Sequence, residues 1–140
     1  IFSGCEDKIS DPSVSKKTSD AYFELTLTIS NENVRLNESI LVETRLERIS
    51  APDSLESSIK RMMIDAVGGT INGHSFSVSS SITVEIGDDS TDYFITLSSF
   101  IPSYSYDKAK EVYYNYMPMG SISAAFKNLQ VTIPVQLIEP

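Results

Sequence analysis

The chain of 140 residues has no tryptophan, one histidine and one cysteine. A single cysteine, Cys5, excludes an internal disulfide, so the hydrophobic core has to hold the fold without that cross-link. A histidine-based triad needs a nucleophile and an orienting group around its imidazole. The one histidine, His74, directly follows the turn pair Asn72-Gly73, where a solvated side chain is the plainer reading. Basic residues are scarce as well. Eleven Lys and Arg stand against nineteen Asp and Glu, and the resulting charge of −8 repels nucleic-acid phosphates and anionic membrane surfaces alike. No nucleic-acid partner is therefore expected. No apolar run approaches the roughly 20 residues that cross a bilayer as a helix, so membrane attachment would have to be through a lipid. A Gly-rich phosphate loop and Cys/His metal spacing are missing too, and no cofactor is expected.

What is present favours strands. At 41% hydrophobic residues the chain can bury the core of one domain. Abundant serine and widely spread β-branched residues suit strands and turns. From Tyr22 to Ser30 the sequence alternates, with Phe23, Leu25, Leu27 and Ile29 on one face and Glu24, Thr26 and Thr28 on the other. Val34, Leu36, Ile40, Val42, Thr44 and Leu46 continue as an inward set, with Arg35, Glu43, Arg45 and Glu47 outward. Ile82, Val84 and Ile86 form another row, Tyr93, Ile95 and Leu97 a further inward row, and Ile122, Ala124 and Phe126 the next. Leu129, Val131, Ile133, Val135 and Leu137 alternate through the final segment. These patterns predict seven or eight strands.

Two stretches read less simply. Over Leu55 to Val67, the residues Leu55, Ile59, Met62, Met63 and Ala66 recur at helical spacing, with Asp53 and Glu56 as a capping box. The same stretch leads through Gly68-Gly69 to the hairpin signal Asn72-Gly73. A short helical turn near Leu55 to Lys60 followed by a strand reconciles the two. Over Asp107 to Tyr116, the residues Ala109, Val112, Tyr113 and Tyr116 fit a short amphipathic helix covering one end of the fold.

The start of the chain, Ile1-Phe2-Ser3-Gly4-Cys5, ends an apolar stretch in two small residues and a cysteine, with polar residues following. It resembles the lipobox of bacterial lipoproteins. The resemblance implies signal-peptide cleavage before Cys5, acylation of its thiol, export, and a lipid-anchored place in the cell envelope. The segment after it, up to Asp20, is rich in Ser, Lys and acids and has only Ile9 and Val14 as large apolar residues. It reads as a flexible tether. The expected organisation is residues 1–20 as signal remnant and tether, and 21–140 as one β-domain.

Two further segments resemble immunoglobulin-like domains. Asn33 to Val42 is similar to the run entering the second strand, and Asp89 to Ile95 to the corner before strand F, with Tyr93 as the corner tyrosine. The resemblance implies an all-β, immunoglobulin-like antiparallel β-sandwich with one or two short helical segments in its loops. It places Thr44 and Ile95 at the two positions where antibody domains carry cysteines.

Two constellations remain as candidate sites. Glu85, Asp88, Asp89 and Asp92 gather carboxylates around one turn, a donor set that suits Ca²⁺, although acidic turns are more commonly just solvated. Five of the seven tyrosines, Tyr104, Tyr106, Tyr113, Tyr114 and Tyr116, fall between Phe100 and Gly120. Tyrosine offers a rigid face at low entropic cost and an adaptable hydroxyl, and its ring can stack on a sugar. The same residues could instead plug the end of the sandwich. The functional expectation is a non-catalytic envelope module acting by protein contacts, in adhesion or as part of an assembly. The alternative is a carbohydrate- or small-ligand-binding lipoprotein using the tyrosine segment, and the expected partner is accordingly an envelope protein or a glycan.

Overall fold

The structure, a computed structural model, describes residues 13–50, 60–73, 79–86 and 93–140. Cys5, the expected helical turn before Lys60, His74 and the acidic turn residues Asp88, Asp89 and Asp92 lie outside these residues, and so does the side chain of Glu85.

The alternating segments form strands. In chain order they are β1 (Val14–Ser19), β2 (Phe23–Ile29), β3 (Asn33–Arg35), β4 (Ile40–Arg48), β5 (Lys60–Val67), β6 (Gly69–Ile71), β7 (Ser79–Ile86), β8 (Tyr93–Pro102), β9 (Ser105–Asp107), β10 (Val112–Tyr114), β11 (Met119–Phe126) and β12 (Leu129–Ile138). One five-stranded sheet has the order β1-β2-β4-β8-β6 and the other β3-β12-β11-β5-β7, while β9 and β10 make a separate hairpin. All pairs are antiparallel except β3 with β12. The protein is an all-β sandwich.

Its core follows from period-2 burial. Phe23, Leu25, Leu27 and Ile29 of β2 and Val42, Thr44 and Leu46 of β4 line the first sheet's inner face. Met62, Ile64, Ala66, Ile122, Ala124, Phe126 and the odd-numbered residues of β12 line that of the second. Phe23 and Phe126 meet edge to face across the sheets, with ring centroids 5.0 Å apart. The cations of Arg48 and Lys127 lie over the Phe23 ring at 4.6 and 5.4 Å and cover that end of the core.

Counted from β2, the neighbours β2-β4-β8-β6 and β12-β11-β5 follow the ABED and GFC partition of immunoglobulin-type sandwiches. Within the two sheets three strands lie outside it: β1 beside β2, β3 beside β12, and β7 beside β5, with β6, in the D position, preceding β7 in the chain. The sheet change from β5 to β6 turns on Gly68, whose φ is +90°, and on Gly69, where a Cβ would collide with the Phe100 ring and the Ile101 carbonyl.

This topology corrects several expectations. Strand β8 occupies the E position and β11 the F position, so Tyr93 does not precede strand F. Tyr93 is also 50% exposed rather than a buried phenol. Thr44 and Ile95 cannot stand in for an inter-sheet disulfide, because β4 and β8 are neighbours in one sheet and Ile95 points outward opposite Arg45. The whole row Tyr93, Ile95 and Leu97 faces outward. Pairing Ile40 with Phe100 brings Phe94, Thr96, Ser98 and Phe100 to the inner face instead.

Residues 14–19, expected in the tether, pair with β2 from Val14↔Ile29 to Ser19↔Glu24, and Val14 packs against the core. The domain therefore begins before residue 20. The exposed Lys16 and Lys17 on this edge discourage pairing with another chain. Among the described residues no segment is helical. A helix over Asp107 to Tyr116 is ruled out by positive φ at Glu111 and Asn115, and by the pairing of Tyr106 with Tyr113.

Candidate functional site

The tyrosine segment forms a small hairpin at one end of the sandwich. Asp107 shapes its turn, since one carboxylate oxygen accepts bonds from the backbone N–H groups of Ala109 and Lys110 at 3.0 and 3.1 Å. Tyr106 and Tyr113 stand directly opposite each other in the ladder. The Tyr113 ring is 4.5 Å from the Tyr106 ring and 5.5 Å from the Tyr104 ring, tilted by 47° and 48°. These three rings make a continuous, curved aromatic surface.

The five tyrosines divide into a base and a display. Tyr113 and Tyr116 are partly buried against the core. The Tyr116 hydroxyl donates to Glu139 Oε2 at 2.8 Å, pinning the segment before β11 to the residue following β12. Donating that bond favours the neutral phenol, so the Tyr116 pKa rises above 10, with burial and the Glu139 charge adding to the shift. Burial raises that of Tyr113 too, reinforced by Tyr106, Tyr104 and Glu139. Both phenols stay protonated donors at neutral pH. Tyr104, Tyr106 and Tyr114 are the displayed members, at 40%, 42% and 51% exposure.

Tyr104 also borders a groove of about 280 Å³ lined by Leu36, Asn37, Glu38, Ser39 and Ile101. The turn that supplies its polar rim is closed by a bond from the Glu38 N–H to the Arg35 carbonyl at 3.0 Å. The neighbouring Leu36 N–H donates to the Ile138 carbonyl at 2.9 Å and fixes the turn to β12. Asn37, Glu38 and Ser39 are exposed, and among the described residues their side chains make no hydrogen bond.

A second surface lies on the outer face of β8. Tyr93, Ile95 and Leu97 are 42–50% exposed along one strand, a row of roughly 13 Å at the usual strand rise; Ser99 ends it, and Ile101 beyond lines the groove beside Tyr104. Beside it, on β4, run Glu43, Arg45 and Glu47. Arg45 bonds Glu43 at 3.0 Å and lies 6.0 Å from the Tyr93 ring centroid, while Glu47 has no ion pair among the described residues. Farther along the sheet, Ser15, Lys16, Lys17, Glu24, Thr26, Arg45 and Glu47 line a polar depression of about 360 Å³ whose opposite charges largely offset one another.

The structure thus brings together Tyr104, Tyr106 and Tyr113, leaves Tyr114 apart on the other face of the hairpin, and uses Tyr116 as a tie. Sequence reasoning missed the polar rim Asn37 to Ser39 and the apolar outer row of β8. The row had a readable signal, because Phe94 and Phe100 on one phase and Tyr93, Ile95, Leu97 and Ile101 on the other make both faces of this strand apolar. Among the described residues no helix is long and apolar enough to cross a membrane. No family model, curated protein or solved structure matches the chain.

Proposed function

We propose that this protein is a non-catalytic, exported module of the cell envelope, anchored through a lipid on Cys5, that works by docking a protein partner on the outer face of β8. The observation that carries the reading is the row Tyr93, Ile95 and Leu97. A contiguous exposed apolar patch on a folded domain is often a functional surface. The partner's chemistry follows from the surroundings. Glu43 beside the row is neutralised by Arg45, Glu47 has no ion pair among the described residues, and the chain carries −8, which together suit an apolar strip with a basic rim. The non-catalytic reading rests on the sequence, whose one histidine and one cysteine assemble no acid–base or nucleophilic set.

The test places a photo-crosslinking amino acid at Leu97 in the full-length precursor on intact cells, with Thr132 on β12 as an exposed control. One discrete heterologous adduct is expected from Leu97, lost on Ile95→Glu and not formed from Thr132. An adduct of the chain with itself, or none at all, would overturn the proposed partner. In the same cells Cys5→Ser should change both mass and membrane fractionation, and unchanged values would remove the lipid anchor from the reading.

A further inference from the structure

We infer that the hairpin end of the sandwich is a second, separate binding site, one that takes a neutral glycan. Its argument is independent of the docking face on β8. A pyranose ring presents a face of C–H groups and a rim of hydroxyls, each able to donate and accept. The groove beside Tyr104 mirrors both. The Tyr104 ring, with Leu36 and Ile101, supplies apolar wall, and the turn supplies an amide, a carboxylate and a hydroxyl with no partner among the described residues. Asn37 and Ser39 both donate and accept, and Glu38 accepts, so the rim can satisfy hydroxyls of either orientation.

Size and charge narrow the class. At about 280 Å³ the groove lies just below the range of about 300–1,000 Å³ that holds a drug-sized ligand, which fits one sugar ring rather than a longer stretch. No lining residue is cationic and the chain carries −8, so uronic and sialic acids are repelled. Beyond the groove the aromatic surface continues through Tyr113 to Tyr106. The 47–48° tilts between successive rings suit a twisting oligosaccharide better than a flat crystalline one. Tyr113 remains a neutral phenol beneath them.

The absence of tryptophan makes tyrosine emission a direct reporter. Maltohexaose, cellohexaose, mannohexaose and chitohexaose would be titrated into the whole protein to about 10 mM, above the millimolar affinity expected of so shallow a site. Amide shifts would be mapped by NMR in parallel. At least one neutral hexasaccharide is expected to saturate, with shifts confined to residues 36–39 and 101–114. Tyr104→Ala should weaken it by roughly tenfold or more and Asn37→Ala by about threefold to tenfold, whereas Tyr104→Phe retains the stacking surface and most of the binding. Thermal midpoints identify any variant that fails to fold. Tyr104→Phe and the exposed Asn37→Ala keep the test decisive if Tyr104→Ala does not fold. Ile95→Glu should leave glycan binding unchanged, which separates this site from the protein-docking face. No saturating response from any of the four sugars, shifts located elsewhere, or equal binding of polygalacturonate would each overturn the inference.

Discussion

Thr44 sits at the centre of β4 with its side chain fully buried, and its hydroxyl has no hydrogen-bond partner among the described residues. Its neighbours in the ladder are Leu27 and Thr96. A buried hydroxyl without a partner costs about 1–3 kcal/mol relative to its hydrated state. Thr44→Val removes that cost, keeps the β-branched shape and strand propensity, and places a methyl group between Leu27 and Thr96. Allowing for relaxation around the site, the variant should be about 1 kcal/mol more stable. In urea this raises the midpoint by roughly 0.5–1 M at an m-value near 1.5 kcal/mol/M, with m unchanged. By heat it adds about 3–5 °C at this chain length. The control is Thr44→Ser, which keeps the hydroxyl, loses the methyl, and should be destabilised by about 1 kcal/mol. If Val lowers the midpoint while Ser leaves it unchanged, the hydroxyl has a stabilising partner and the reasoning is wrong.

Asp20 closes the β1–β2 turn by accepting bonds from the Phe23 and Tyr22 N–H groups, both at 2.8 Å, and these bonds lower its pKa below 3.8. A depressed carboxylate pKa stabilises the fold above the unfolded value and loses that contribution as pH falls through the folded one. Asp20→Ala should therefore cost about 1 kcal/mol at pH 7 and progressively less as pH falls below 3.8, and a cost that does not fall would show that the turn does not depend on the charge. Tyr116 has the opposite sign: its raised pKa makes its contribution complete below about pH 10 and lost above it. Urea midpoints from pH 8 to 11 should show Tyr116→Phe starting lower and declining less steeply than the parent. Parallel declines would exclude the bond to Glu139 as the cause.

The strands whose apolar residues occupy a single phase were legible from sequence. In β2, β4, β11 and β12 one set of alternate positions is mainly apolar and the other mainly polar, so the buried face follows from period. Strand β8 defeats that logic because both of its phases carry large apolar residues. Only its register against β4 decides which set is buried. Strand β1 was invisible for the converse reason: an edge strand needs few apolar residues, and Val14 is its only large one. In the tyrosine segment, the spacing of Ala109, Val112, Tyr113 and Tyr116 fitted a helix, while left-handed residues at Glu111 and Asn115 produced a hairpin. The tyrosines themselves were visible as a site, but the turn Asn37 to Ser39 beside Tyr104 is a contact between residues far apart in sequence.

The pairing of β12 determines when this chain can fold. Strand β12 completes the ladder with β11 over eight positions and joins β3, about a hundred residues earlier in the chain. It also contributes five buried side chains, Leu129, Val131, Ile133, Val135 and Leu137. Pro134, with no N–H, falls in the part of β12 that β3 does not cover, where no ladder bond is lost. At about 5–20 residues per second of synthesis, everything before β12 waits roughly 0.5–2 s with those five core positions unfilled and β11 unpaired on one side. The chain is thus kept threadable while it is being made, and closes only once residues 129–138 have arrived.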